Sequence, residues 1–230
     1  MALKHIAVIP DGNRRWARKE GVSLLEGYKK GIEKLENLLR WCRDSNVKML
    51  TLWGFSTENI GRERKEIKSL FSLFDSKLIE ALKSDEYHRK KVRVRFLGKK
   101  DMFPKSIRQK IEKLERSTKN YDSLFLTIML GYGGRQEIVD AISSIVEDAK
   151  KGRIKNVNER LVSDYLYTSG LPNPDLVIRT SGEQRLSGFL PWQSAYSELY
   201  FSKKLWPDFS KADFKKAVDA YSKRERRFGR

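Results

Sequence analysis

Cysteine and histidine are scarce in this chain of 230 residues. The single cysteine, Cys42, excludes an intramolecular disulfide and any metal site built from several cysteines. His5 and His88 are the only histidines, so no Ser/His/Asp arrangement is visible and any proton transfer falls to carboxylates, water or the substrate itself. Glycine-rich nucleotide motifs are missing too, because the chain has neither a Walker-type loop nor a GxGxxG fingerprint. These absences argue against the common classes of nucleotide-binding and hydrolytic enzyme.

Long apolar runs and negative charge are also in short supply. The longest apolar run, Leu124 to Leu130, is too short to span a bilayer, and Ile6 to Pro10 is too short for a signal peptide, so we expect a cytoplasmic protein. The 48 basic residues outnumber the 30 acidic ones, which leaves a net charge of +18. This excess is compatible with nucleic acid, an anionic membrane surface or a phosphorylated substrate, and equally with a solvated, lysine-rich surface.

The hydrophobic pattern alternates between strand-like and helix-like segments along the chain. Strands are predicted at 5–9, 48–55, 92–97, 124–130, 175–180 and 198–201. Helices are predicted near 25–42, 63–84, 104–119, 136–150, 157–168 and 210–227. This alternation predicts one α/β domain over 1–230, with a mostly parallel sheet of about six strands and helices on both faces.

Polar and glycine-rich segments follow four of these strands. In open sheets of this class, ligands bind outside the carboxyl ends of the strands. The segments are Asp11–Trp16, Ser56–Glu66, Gly131–Arg135 and Arg179–Ser187. Each alone fits an ordinary turn or helix cap, but together they place arginines, acids and hydroxyls at one edge, which favours a site that handles phosphate groups.

The same segments resemble those of the cis-prenyltransferases, the undecaprenyl diphosphate synthase family, over essentially the whole chain. The matching motifs are Asp11-Gly12-Asn13 with Arg15-Trp16-Ala17, Phe55-Ser56-Thr57-Glu58-Asn59 with Arg62 and Glu66, Tyr132-Gly133-Gly134-Arg135, Asp175 to Arg179 with Arg185 and Ser187, Ser197 to Phe201, and Arg226-Arg227-Phe228-Gly229. The resemblance implies a Mg²⁺-dependent transferase that condenses an allylic prenyl diphosphate with isopentenyl diphosphate and forms a cis double bond, with the products serving as glycosyl-carrier or related lipids.

The resemblance also implies a role for each matched residue. Asp11 would coordinate Mg²⁺ with help from Glu198, while Ser56 and Asn59 would line the reacting centre. Gly12, Asn13 and Arg15 would bind the diphosphate of the allylic substrate, with Arg62 nearby. Further substrate-binding residues from the first two segments would be Arg14, Trp16 and Glu66. Isopentenyl diphosphate would be bound by Arg179, Arg185 and Ser187. The family is usually dimeric, and Arg227 and Gly229 match an element that reaches a neighbouring subunit's site.

Several positions depart from the family pattern. Leu24 stands at a usual arginine, Tyr28 at a usual histidine and Ile60 at a common tryptophan, while Thr127 and Gly131 replace two asparagines. Leucine cannot donate a hydrogen bond, so one charged contact to the allylic substrate is lost. Two alternatives therefore stay open: an atypical member with a changed donor or acceptor, or an accessory subunit of a heteromeric enzyme. We expect a homodimer, possible contact with an anionic membrane surface and no specific nucleic-acid partner.

Overall fold

A six-stranded parallel sheet forms the centre of the protein. The computed structural model describes residues 2–224. The strands are β1 (His5–Ile9), β2 (Met49–Ser56), β3 (Val92–Leu97), β4 (Leu124–Tyr132), β5 (Leu176–Arg179) and β6 (Glu198–Phe201). Their order across the sheet is β3-β4-β2-β1-β5-β6, and each neighbouring pair is parallel. This confirms the predicted fold class.

Helices connect the strands. They are α1 (Asn13–Lys19), α2 (Leu24–Asp44), α3 (Arg64–Lys83), α4 (Glu86–Arg89), α5 (Lys105–Thr118), α6 (Gly134–Lys150), α7 (Glu159–Tyr165) and α8 (Lys211–Ser222), with 3₁₀ turns at Thr57–Gly61, Lys100–Met102 and Trp206–Asp208. Local sequence explains where the longest helix begins, because Ser23 and Glu26 form a capping box in which each side chain binds the other residue's backbone N–H. In the described part of the chain, no helix has the length and apolar character needed to cross a bilayer.

The two faces of the sheet pack against separate layers. Successive residues of a strand point to opposite faces, so Ile6 and Val8 join a large core with α2, α3, α5 and α8, whereas Ala7 and Ile9 join a smaller one. Helix α6 lies over the second face, where the Glu137 carboxylate accepts a 2.6 Å hydrogen bond from the Tyr132 hydroxyl. The continuous burial of β1 is typical of a parallel strand covered on both sides.

Irregular backbone concentrates where the functional residues lie. Strand β2 shifts its register against β4 around Gly54, and a Cβ at that glycine would lie 3.0 Å from Leu130. The shift redirects the end of β2, so that Ser56 pairs with Tyr132 at the carboxyl edge.

Candidate active site at the carboxyl edge of the sheet

A buried arginine, Arg179, organises the centre of the site. Its guanidinium is 5% exposed and donates to the Asp11 carboxylate at 2.8 Å, to the Ser187 hydroxyl at 2.7 Å and to the Arg185 carbonyl at 2.5 Å. Its Nε is buried and has no hydrogen-bond partner. A planar guanidinium can hold several acceptors at once in a fixed geometry, which a lysine cannot do. Arg179 therefore fixes two polar groups of the site relative to each other.

The carboxylate of Asp11 stays ionised because of its cationic neighbours. Burial alone would raise the pKa of Asp11, but the hydrogen bond and charge of Arg179, assisted by Ser181 and Arg15, outweigh it and hold this pKa below its usual value. The backbone is fixed as well, since the Asp11 carbonyl accepts from the Thr180 hydroxyl at 2.6 Å and from the Trp206 N–H at 3.0 Å. Thr180 was not among the predicted site residues, although it directly follows Arg179 at a strand end.

The turn after Asp11 depends on glycine. Gly12 has a φ of +110°, and a Cβ there would lie 2.9 Å from Leu205, so neither the backbone conformation nor the space suits a larger residue. Asn13 then begins α1, and its amide donates to the Pro10 carbonyl at 3.1 Å. This local structure places Asp11 and Asn13 together on the wall of the adjoining cavity.

Glu183 joins two arginines, Arg15 and Arg185, that are predicted to bind different diphosphates. Its carboxylate accepts from Arg15 at 3.0 Å and forms a close ion pair with Arg185. Arg15 also donates to the Ser181 hydroxyl at 2.5 Å. The arginines are about half exposed, so the cluster faces solvent at the mouth of the site. Glu183 lies within the segment Arg179–Ser187, but no sequence signal distinguishes this bridging position.

Strain marks the loop that carries these contacts. Ser181 and Ser187 have φ values of +82° and +52°, which non-glycine residues seldom adopt. Each hydroxyl nevertheless accepts a hydrogen bond from a site arginine. Such conformations cost on the order of 1–3 kcal/mol each and are typical of functional sites.

A second polar cluster lies across the cavity, around Glu66. The Glu66 carboxylate accepts from the Tyr28 hydroxyl at 2.7 Å and from Arg62 at 3.1 Å, and Arg14 lies 3.9 Å away. Arg62 also donates to the Tyr28 hydroxyl at 2.9 Å. Burial, followed by the bond to Glu66, raises the pKa of Tyr28, so its phenol remains a neutral donor. Tyrosine at the usual histidine position thus links the acid to the arginine.

One cavity of about 700 Å³ connects these clusters with the hydrophobic core. Its polar end is lined by seven of the predicted site residues: Asp11, Asn13, Ser56, Asn59, Arg62, Arg179 and Ser187. Asn59 accepts the Ser56 backbone N–H at 3.0 Å, which fixes both at the end of β2. The remainder is walled mainly by apolar residues of α2, of α3 and of strands β2, β3 and β4, with Glu36, Lys77 and Glu80 among them, so the space is polar at one end and mostly apolar beyond it.

Comparison with known proteins agrees with this geometry. The family model described as putative undecaprenyl diphosphate synthase matches residues 9–229. The chain belongs to the undecaprenyl diphosphate synthase family. A relative from Methanopyrus kandleri, named tritrans,polycis-undecaprenyl-diphosphate synthase (geranylgeranyl-diphosphate specific), is 47% identical over 229 residues, 99% of this chain and 84% of that protein. An isoprenyl transferase from Thermotoga maritima is 47% identical over 226 residues, 98% of this chain and 96% of the relative.

A solved structure shows the same fold. The crystal structure of lavandulyl diphosphate synthase from Lavandula x intermedia, in complex with dimethylallyl diphosphate, superposes with a TM-score of 0.95 at 31% identity and covers 100% of this chain and 99% of its own. Membership of the synthase family confirms the predicted enzyme class, a prenyltransferase, and the main prediction of cis-prenyl chain elongation. These relatives support neither of the two alternatives, the atypical condensation or the accessory subunit.

Not every residue matched to the family motifs reaches the cavity. Trp16 donates to the Asp208 carboxylate at 2.8 Å and is not part of the cavity wall. Glu198 begins β6 beside Leu176, whereas Asp11 lies beyond the opposite, carboxyl end of the strands. Within one chain, therefore, the structure does not bring the two predicted metal-binding carboxylates together. Arg227 and Gly229 lie outside the described residues.

Proposed function

We propose that this protein extends an allylic prenyl diphosphate by condensation with isopentenyl diphosphate, and that the carboxyl edge of the sheet is where the two diphosphates bind. The observation that carries the proposal is the shape of the site. An arginine-rich mouth opens into a cavity whose walls are mostly apolar, which suits a molecule with a charged head and a hydrocarbon tail. Burial of each five-carbon unit would contribute ~4 kcal/mol, at ~0.8 kcal/mol per carbon, before the entropic costs of binding.

The residues divide between the two ligands as follows. Arg179, Arg185 and Ser187 bind the diphosphate of isopentenyl diphosphate. The allylic diphosphate lies toward α1 and α3 and is bound by Gly12, Asn13, Arg14, Arg15, Trp16, Arg62 and Glu66, of which Trp16 acts through its contact with the neighbouring turn and Glu66 by orienting Arg62. Ser56 and Asn59 line the same cavity and are the residues that we assign to the reacting centre.

The reaction breaks the allylic carbon–oxygen bond, and its electron pair leaves with the diphosphate. The double bond of isopentenyl diphosphate then forms the new carbon–carbon bond, and a proton is lost from the carbon next to the resulting cation. Arginines that are already in position before the reaction stabilise the negative charge that develops on the leaving diphosphate. His5 cannot take the proton, because it is buried at the opposite end of β1 and bonded to Thr51 and Pro172. The proton therefore passes to a carboxylate, to water or to a diphosphate oxygen.

A magnesium ion fits the Asp11 carboxylate. Mg²⁺ is commonly held by one or two carboxylates together with substrate phosphates and water, so the absence of any cluster of three or more ligating side chains within residues 2–224 is compatible with it. Asp11 is ionised, and one of its oxygens is 3.6 Å from the nearest Arg15 nitrogen. When bound, the ion neutralises charge on the leaving diphosphate. Glu198 stays a proposed second ligand that a single chain does not bring near Asp11.

An anionic membrane surface is the proposed destination of the lipid product. Lys4, Lys48 and Lys91 are exposed and directly precede β1, β2 and β3, so all three lie at the amino edge of the sheet. Each basic residue near an anionic leaflet contributes about 1 kcal/mol to the free energy of membrane binding. Sedimentation with anionic and neutral vesicles tests this contact: binding to the anionic vesicles that weakens with salt is expected, and equal binding to both would contradict it.

An assay of the purified protein tests the proposed reaction. Labelled isopentenyl diphosphate and Mg²⁺ are supplied with geranyl, farnesyl or geranylgeranyl diphosphate, and the products are separated by chain length. We expect a ladder of elongated products, with geranylgeranyl diphosphate the preferred primer because archaeal relatives carry that specificity in their names. An Asp11→Asn variant serves as the inactive control. Absence of elongation with every primer would overturn the proposed function.

A further inference from the structure

The segment that begins at Ser187 has an unusual backbone. Ser187, Gly188 and Leu190 have positive φ values of +52°, +84° and +49°. Two of these residues are not glycines, so the segment is strained and keeps its shape only where its surroundings hold it. The Ser187 hydroxyl accepts a hydrogen bond from Arg179. Whatever holds this segment therefore also holds part of the site proposed for isopentenyl diphosphate.

Helix α6 and the sheet contact the segment from two sides. At the start of α6, the Gly134 N–H donates to the Gly188 carbonyl at 2.9 Å, and a Cβ at Gly134 would lie 2.1 Å from Pro191. On the sheet, Trp53 of β2 stacks on Phe189 with the ring centroids 5.1 Å apart. The middle of the segment is therefore held between the first turn of α6 and β2.

Glu137 of α6 connects the far end of the segment to the sheet. This residue is fully buried, and its Oε2 accepts from the Tyr132 hydroxyl at 2.6 Å and from the Gln193 amide at 3.0 Å. The same amide nitrogen donates to the Thr168 hydroxyl at 2.7 Å. Glu137 thus binds both the end of β4 and Gln193, six residues after Ser187.

Counting all the described residues, two buried oxygen atoms of this cluster have no hydrogen-bond partner. They are Oε1 of Glu137 and Oε1 of Gln193. Both are acceptors while Glu137 is ionised, so neither can satisfy the other. A proton on Oε1 of Glu137 satisfies both, because a carboxylic acid and a primary amide can pair through one O–H···O and one N–H···O hydrogen bond.

Two further observations agree with a protonated Glu137. The N–H···O bond that such a pair requires is already present, from Gln193 to Oε2 of Glu137. Burial raises the pKa of Glu137, and the donors around the carboxyl group, among them Tyr132 and Gln193, offset only part of this increase. A neutral acid also avoids the desolvation cost of a buried charge.

We propose that Glu137 is a protonated positioning residue, and that its acid–amide pair with Gln193 holds the segment Ser187–Gln193 in place for isopentenyl diphosphate. The proposal rests on the assignment of Ser187 and Arg179 to that substrate, made above. Glu137 touches no substrate. It acts through the segment, whose strained backbone keeps Ser187 within reach of Arg179 only while both of its ends are fixed.

Conservative variants test the positioning role. Glu137→Gln keeps the length of the side chain and replaces the O–H donor by an N–H donor, so the KM for isopentenyl diphosphate should match that of the wild type. Glu137→Asp keeps the acid but withdraws it from Gln193 by ~1.5 Å, the length of one C–C bond. This KM should then rise roughly tenfold, as expected for the loss of about one hydrogen bond, while the KM for the allylic primer stays unchanged.

Two more variants complete this kinetic test. Gln193→Asn shortens the other partner, so it should raise the KM for isopentenyl diphosphate as Glu137→Asp does, and it is the variant to use if the aspartate protein does not fold. Glu147→Asp is the matched control, because Glu147 is exposed on the same helix and pairs with Lys150. Its kinetics should not change.

Infrared spectroscopy and the pH dependence of stability test the proton. At neutral pH the wild type should show a protonated-carboxyl C=O band that Glu137→Gln lacks. An acid that stays protonated in the folded protein loses its proton on unfolding once the pH exceeds its ordinary pKa. The unfolding equilibrium constant of the wild type, relative to that of Glu137→Gln, should therefore rise by up to tenfold per pH unit between the ordinary and the folded-state pKa.

Other titratable groups near Glu137 do not produce this dependence. The segment 187–193 has no titratable side chain. Burial raises the pKa of Tyr132 and of Tyr167, so both phenols stay neutral. Beyond Tyr167, the hydrogen bond from its hydroxyl helps to hold the pKa of Asp140 below its usual value, so that acid stays ionised.

Each result has a distinct meaning. A wild-type KM for isopentenyl diphosphate in both Glu137→Asp and Gln193→Asn would overturn the positioning role. A missing carboxyl band, or a stability ratio that does not change with pH, would overturn the protonated state. Failure of the wild-type protein to make any elongated product would instead refute the proposed function, and the infrared result does not depend on that function.

Discussion

At the scale of single residues, Arg179 is the side chain on which the site depends most. It is buried, and it binds an acid, a hydroxyl and a carbonyl that come from two different loops. Each hydrogen bond to a charged group contributes ~1.5–3 kcal/mol of stabilisation. If Arg179 is replaced, its buried partners are left unpaired, which adds to the free energy that is lost. The planar arrangement of the guanidinium donors, more than their charge, therefore determines the arrangement of the site residues.

An Arg179→Lys variant separates the fork from the charge. Lysine keeps the positive charge but loses at least two of the bonds, so kcat/KM for isopentenyl diphosphate is expected to fall roughly 100-fold. Steady-state kinetics measures this loss. Arg153→Lys is the matched control, since Arg153 is exposed, lies outside the cavity wall and pairs with Asp148 among the described residues, and its kinetics should not change. Near-normal activity in Arg179→Lys would show that a positive charge at this position is enough for the reaction, without the donor geometry of the guanidinium.

At the scale of secondary-structure elements, two glycines of α2 allow α1 and α2 to pack closely together. A Cβ at Gly31 would lie 2.2 Å from the Asn13 side-chain oxygen and 3.0 Å from Trp206, and one at Gly27 would lie 2.7 Å from the Asn13 carbonyl. Both glycines lie on the same face of α2, one turn apart. Their lack of side chains lets α1 approach closely, and α1 follows directly on the Asp11 turn.

Replacing Gly31 by alanine should therefore push the two helices apart. The overpacking is expected to cost ~1–3 kcal/mol in the free energy of unfolding, which urea denaturation measures. Gly61→Ala is the control, because a Cβ there meets nothing within 4 Å. If the two variants prove equally stable, the close contact between α1 and α2 does not constrain the site.

The hydrophobic period predicted most helices and strands correctly, because packing against other elements does not change the local structure that the period favours. The bounds predicted for β1, β3 and β6 are those of the structure, since each is a compact apolar or alternating run between polar residues. Helix α4 has only four residues, too few for a periodic signal, and the shift in β2 at Gly54 depends on packing against β4. The last helix ends at Ser222 among the described residues, earlier than its pattern indicated.

The candidate site was predictable to the extent that strand ends converge. Asp11 follows β1 and Arg179 ends β5, so a parallel sheet already places both at its carboxyl edge, although that β1 and β5 are neighbours is known only from the structure. Glu198 was assigned to the same site through the resemblance, although its place at the start of a strand already indicates the opposite edge. The bridging role of Glu183 could not be inferred, because it depends on the conformation of an irregular loop.

At the scale of the whole molecule, an apolar stripe on α6 indicates association. Val139, Ile142 and Val146 lie on one helical face and are 54%, 51% and 45% exposed. Contiguous exposed apolar residues are typical of protein interfaces. We propose that this stripe joins two copies of the chain into a homodimer.

An Ile142→Asp variant tests the dimer. Placing a carboxylate in the middle of the stripe should convert dimer to monomer, as measured by sedimentation velocity. Ser143→Asp adds the same charge at the next position of the helix, outside the stripe, and should leave the mass unchanged. A monomeric wild-type protein would exclude the dimer. A dimeric Ile142→Asp protein would show that the interface lies elsewhere.

The carboxylate of Glu183 has a consequence for how substrates enter. It already neutralises part of the charge on Arg15 and Arg185, so an arriving diphosphate does not meet bare cations but takes the place of an internal anion. Substrate capture then resembles ion exchange: one negative group is released as another is bound. Mobile salt ions have less to screen in such an exchange, and affinity should fall less steeply with ionic strength than the number of arginines suggests.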